Sequence, residues 1–113
     1  MGGNILEQMA RAKELIDDML EDAPKQVRDK IELSIDAVNQ KNLGEALNKL
    51  RQAQAIVDKE NLEDWQAELL AIWAYYYYAM GEEDEVRQCI EEAHRLEPNN
   101  KRLREVIKSF RAE

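Results

Sequence analysis

The chain is short of the residues that staple a fold, break helices or bind phosphate. It has a single cysteine, Cys89, so no disulfide can form within it; that usage fits a reducing compartment. There are 2 prolines and 4 glycines among 113 residues. Pro24 and Pro98 both stand where a helix would start or stop, and so few breakers favour an all-α fold over a sheet. Lys and Arg number 16 against 24 Asp and Glu, a net charge of −8. Such a surface repels phosphate, so no nucleic-acid partner is expected. The uncharged run Leu69–Met80 is too short for a bilayer, which takes roughly 20 apolar residues. No signal peptide or lipidation motif is visible, and Met1-Gly2-Gly3 reads as an unstructured leader. The expectation is a soluble chain with no membrane partner, its location cytoplasmic or not specified by the sequence. Gly-rich phosphate loops, a Ser-His-Asp set and zinc-ligand spacing are also missing from the sequence.

What is present is a globular balance, 44% hydrophobic and 35% charged, in a length that suits one domain with one core. The run Leu69–Met80 organises it. At about 100° per residue, a helix this free of charge is apolar on every side and must be surrounded. It is therefore expected to be the central helix of a small helical domain.

Before it, three helices are expected. The first spans about 4–21, with Ile5, Met9, Ala12, Ile16 and Met19 at helical spacing. Asp22 reads as an N-cap and Pro24 as a first-turn proline for the second, about 24–40. That helix has Val27, Ile31, Ile35 and Val38 on one stripe and Leu33 and Ala37 on another. Exposed Ile31, Ile35 and Val38 would be costly, so the first helix is expected to cover them. The third, about 43–59, opens on a capping box, Asn42 with Glu45, and should bury Leu43, Ala46, Leu47, Leu50, Ala53 and Val57.

Asn61-Leu62-Glu63-Asp64 is expected to cap the central helix. Its main stripe is Trp65, Leu69, Ile72, Trp73, Tyr76 and Met80, with Leu70, Ala74 and Tyr77 on a second. Gly81 reads as its C-terminal cap. A fifth helix, about 83–97, should bury Val86, Cys89, Ile90, Ala93 and Leu96. A sixth, after Asn99-Asn100, carries Leu103, Val106, Ile107 and Phe110 as a terminal lid, with Lys101, Arg102, Arg104, Lys108 and Arg111 coating its polar side. The architecture expected is all-α: about six antiparallel helices, a single domain over 1–113, front helices within 4–60 and a hairpin plus capping helix within 61–113.

Leu70-x-x-Trp73-Ala74-x-x-Tyr77, Gly81, Val86-x-x-x-Ile90-x-x-Ala93 and Pro98 resemble a tetratricopeptide repeat, a helix–turn–helix unit of 34 residues, over residues 67–100. Ala74 stands where that family usually has Gly, and Val86 where it has Ala. A weaker likeness covers 27–60. Leu15-Ile16-Asp17-Asp18-Met19-Leu20-Glu21-Asp22 with Pro24 is similar to a small archaeal four-helix family. The repeat resemblance implies hairpin stacking and a concave face. With Tyr77 turned to the core, it places Tyr75 and Tyr78 on that face beside Glu68 and Ala71. These four are the candidate peptide-binding residues, since aromatic side chains on a concave face favour peptide contacts. Cover by other helices of the same chain is the alternative. The family's basic clamp for a peptide carboxylate is missing, because its positions fall on Ala71, Ile72 and Tyr75.

Other constellations are weaker. Glu91-x-x-His94 has the spacing of half a di-metal site, but His94 is the lone histidine and reads as a surface residue near a helix C-terminus. Cys89 and His94, five apart, point to different sides of a helix. Glu82-Glu83-Asp84-Glu85 lacks the alternation and glycine of a calcium loop and reads as first-turn acids. No catalytic residue, metal site or cofactor is therefore expected. The expected role is a non-catalytic helical scaffold of the kind a de novo designed or engineered chain provides. The alternative is a repeat-type adaptor that binds a peptide or helix of another protein, as a monomer or weak homodimer.

Overall fold

The computed structural model describes residues 22–111. The first expected helix, 4–21, and with it the cover expected from it, lies outside them. Among the described residues there are five α-helices and a short 3-10 turn: α1 Ala23–Asn39, α2 Leu43–Lys59, the turn Glu63–Trp65, α3 Gln66–Met80, α4 Glu83–Leu96 and α5 Lys101–Arg111. No strand occurs among them. None of these helices is long and apolar enough to cross a membrane.

Two helical hairpins, α1/α2 and α3/α4, carry most of the packing. The front hairpin closes because Val27, Ile31, Ser34 and Val38 fall on one face of α1 and Ala46, Leu50, Ala53 and Val57 on one face of α2, all buried. Ser34, not Leu33, occupies the inward position: Leu33 is 46% exposed. The Ser34 hydroxyl is satisfied by donating to the Lys30 carbonyl one turn back, at 2.8 Å, so a small polar residue can sit there without an orphaned group.

The sequence-level caps are met unevenly. Asp22 precedes α1 without a side-chain cap bond. The Asn42 side chain accepts from the Glu45 backbone N–H at 3.4 Å, but the Glu45 carboxylate pairs with Lys49 at 3.4 Å rather than appearing in the return arm of a capping box. The expected cap at Asn61–Asp64 is replaced by a left-handed Asn61 (φ 53°) and the 3-10 turn, so α3 starts at Gln66 without a side-chain cap. Gly81 does cap α3. It takes φ 77°, and the Glu82 N–H reaches back to the Tyr77 carbonyl at 3.0 Å, a left-handed geometry that glycine adopts without a Cβ penalty. Asn100 caps α5: its Oδ1 accepts from the Leu103 N–H at 2.9 Å while its Nδ2 donates to Glu97.

α3 is the hub. It packs against α1, α2, α4 and α5, and Leu69, Ala71, Ile72, Ala74 and Tyr76 are buried along it. Its last turn escapes: Tyr78 is 39% and Met80 46% exposed, against the expectation of a stripe buried to Met80. α4 departs further. Only Ala93 of its apolar face is buried, and Leu96 is 44% exposed. α4 leans almost wholly on α3 and touches α5 lightly. α5 instead docks on α3 through Leu103 and Val106, both buried.

Candidate functional site

α1 and α5 flank α3 on one side, and the Arg102–Glu32 pair links them. A groove of about 500 Å³ opens there, lined by Val38 and Asn39 of α1, Lys41 of the following turn, Leu43 of α2, Tyr75 and Tyr78 of α3, and Ser109 of α5. It adjoins a smaller cleft of about 130 Å³ floored by Ile72 and Tyr75 between Ile35 and Val106. We call this the inner groove. Arg102 spans its far end, pairing with Glu32 of α1 at 2.5 Å and with Glu105 at 3.6 Å.

The four residues singled out in the sequence fall along this side of α3, three, four and three residues apart. They differ in what they offer. Tyr75 is half-buried and donates its hydroxyl to Asn39 Oδ1, which fixes its ring at the junction of groove and cleft. Tyr78 stacks on Phe110 with centroids 4.2 Å apart and planes at 18°. Ala71 is wholly buried and has no surface for a ligand. Glu68 is half-buried; burial is the main cause that raises its pKa above the usual carboxylate value, with Arg102 opposing and Glu32, Glu97 and Glu105 reinforcing.

The sign follows from linkage. A raised folded pKa means that the folded state holds the Glu68 proton more tightly than the unfolded chain. The stabilisation from this group is full below the unfolded value, near 4.5, and is lost as pH rises through the folded value. Glu68→Gln is accordingly expected to stabilise the protein at pH 7 and to lose that advantage as pH falls through 4.5, as read by urea midpoints across pH.

A second groove, the outer one, lies on the opposite flank of α3, where α2 and α4 barely meet. Its volume is about 660 Å³. Leu70, Trp73 and Tyr77 of α3 and Cys89 of α4 line it, all half-buried. Trp73 and Tyr77 stack, centroids 5.8 Å apart at 26°. Gln54 reaches in from α2: its Oε1 accepts from the Trp73 indole N–H at 3.3 Å, and its Nε2 donates to Gln66 at 3.0 Å and to Asp58 at 2.9 Å. Nothing in the spacing of apolar residues marks Gln54; the same holds for Asn39 and Ser109 at the inner groove, which tertiary packing brings there, whereas Phe110 belongs to the apolar stripe of the last helix and only its stacking on Tyr78 is added by packing.

The remaining constellations stay apart. Glu91 and His94 are exposed, Cys89 is half-buried, and Glu82 to Glu85 line the first turn of α4 in solvent. Among the described residues, no group of three His, Cys, Asp or Glu side chains comes close enough to hold a metal ion. Burial first, and Glu85 second, push the Cys89 thiol up to about 11. At pH 8 that leaves roughly one thiol in a thousand ionised, against about a quarter for an unperturbed cysteine. Cys89 should react with a disulfide reagent more slowly in the folded protein than in urea, by roughly tenfold or more, the scarcity of thiolate outweighing its higher nucleophilicity; equal rates would contradict its burial.

Comparison with family models, with curated proteins and with solved structures finds no match to this chain.

Proposed function

We propose that this chain is a non-catalytic helical-hairpin interaction module that takes a peptide or a helix of another protein into the inner groove. The observation that carries the reading is that Tyr75 and Tyr78 line one open groove, floored by the rigid central helix and walled by two helices that do not close over it. Aromatic side chains held in place before binding lose little entropy on contact, which suits them as anchors. The packing order supports a tetratricopeptide-like stack: α1 on α2, α2 on α3, α1 on α3, α3 on α4, and α5 on α3 in the place of a next first helix.

A second reading is a plain structural scaffold. It is favoured by the partners the aromatics already have, Asn39 for Tyr75 and Phe110 for Tyr78.

Selection of random 12-residue peptides on the folded protein separates the two. The module reading expects binders with Kd in the micromolar range, roughly −8 kcal/mol, weakened about tenfold or more by Tyr78→Ala with little loss of stability. A selection that enriches nothing, or binders indifferent to both Tyr78→Ala and Tyr75→Ala, would favour the scaffold.

A further inference from the structure

We propose that the outer groove, independently of the inner one, is a docking site for a basic amphipathic segment of another protein. Three observations on that flank converge. First, the floor is aromatic and prearranged: Trp73 lies stacked on Tyr77, and its indole N–H is tied to Gln54, itself held by Gln66 and Asp58. A ring locked by its polar end presents apolar surface without a rotamer left to freeze on contact. Second, the space is already open, about 660 Å³, because α2 and α4 both rest on α3 and barely touch each other. Room of that size takes several aliphatic side chains from one face of a helix.

Third, the rim selects the sign of the partner. Glu85, Glu91 and Glu92 stand along it with Arg95 as the cation. Arg95 is used within the chain, donating Nε to Glu92 at 3.0 Å. Glu85 and Glu91 are exposed and in no ion pair among the described residues. Lys or Arg residues flanking apolar anchors would meet these two carboxylates, and an acidic segment would be repelled by them. Complementarity of this kind governs partner choice and encounter rate more than raw affinity.

The test uses an 18-residue peptide of Leu and Lys at amphipathic helical spacing, with a Leu/Glu peptide of the same pattern as control. The protein carries Trp65→Phe, so that Trp73 is the one indole. Saturable binding of the Leu/Lys peptide should shift Trp73 emission to shorter wavelength and slow Cys89 alkylation at least threefold. Glu85→Lys with Glu91→Lys should weaken binding tenfold or more, and Glu85→Gln with Glu91→Gln by a smaller factor should the lysine variant fail to fold. Asp29→Lys with Asp36→Lys makes the same charge change on exposed positions of α1 and should leave affinity within about twofold of the parent, as does Tyr78→Ala in the inner groove. The inference is overturned if the Leu/Lys peptide produces no saturable change, if the Leu/Glu peptide binds as well, or if the α1 charge reversal weakens binding as much as the α4 one. Binding abolished by Tyr78→Ala would place the peptide in the inner groove and overturn it too.

Discussion

Ile72→Ala is expected to lower the unfolding free energy by about 2–5 kcal/mol, the range for truncating a large buried aliphatic side chain. Ile72 is wholly buried at the middle of α3 and belongs to the cluster that joins all five helices. Its removal takes apolar surface from the cleft it shares with Ile35 of α1 and Val106 of α5, and the close packing of the core leaves the vacated space only partly refilled. The existing cleft of about 130 Å³ beside it is open to the inner groove, so the new space merges with solvent-accessible volume rather than collapsing. For a domain of this size, a melting temperature at least about 10 °C lower follows. Urea denaturation with an unchanged m-value is the check. A loss below about 1 kcal/mol would mean that α3 is not the shared core element.

Leu103→Asp carries the second large effect. Leu103 is nearly inaccessible and, with Val106, attaches α5 to α3. A carboxylate placed there must be desolvated or the helix must leave its seat, and leaving is cheaper than burying an isolated charge. The expected loss is about 3 kcal/mol or more, with dye-binding apolar surface newly exposed as Phe110 leaves Tyr78. Leu96→Ala is the matched control. Leu96 is 44% exposed at the end of α4, so it should change stability by less than about 1 kcal/mol. Equal losses from the two substitutions would mean that α5 does not hold the fold.

That pair also shows where the sequence stops being legible. α4 and α5 are both strongly amphipathic, yet α4 buries only Ala93 while α5 buries Leu103 and Val106. A stripe at helical spacing tells which face turns inward. It says nothing of how many neighbours that face will find, and α4 finds essentially one. The same limit explains Leu33 and Ser34: hydropathy favours leucine inward, but the rotation of α1 is set by Val27, Ile31 and Val38 together, and serine fits because its hydroxyl bonds within its own helix. Local signals were reliable where one residue type has few alternatives. Gly81 takes the left-handed cap, and the absence of charge over Leu69–Ala74 matches the buried half of α3.

The capping pattern at Asn61–Asp64 failed because a 3-10 turn satisfies the same backbone groups: the Trp65 N–H reaches the Leu62 carbonyl at 2.9 Å. At the inner groove, Tyr75 and Tyr78 line the opening, while Ala71 is buried, and the arrival of Arg102, Ser109 and Phe110 depends on where α5 docks. No pattern internal to α3 encodes that.

Hydrogen exchange of the α3 amides tests the central claim, that one helix packed against the other four described helices carries the fold, most directly. Amides from Leu69 to Tyr76 should exchange only through global unfolding, with protection that falls in step with the urea-measured stability, while those of α4 open earlier through local fluctuation. Exchange from Leu69 to Tyr76 as fast as in α4, or insensitive to Ile72→Ala, would contradict it.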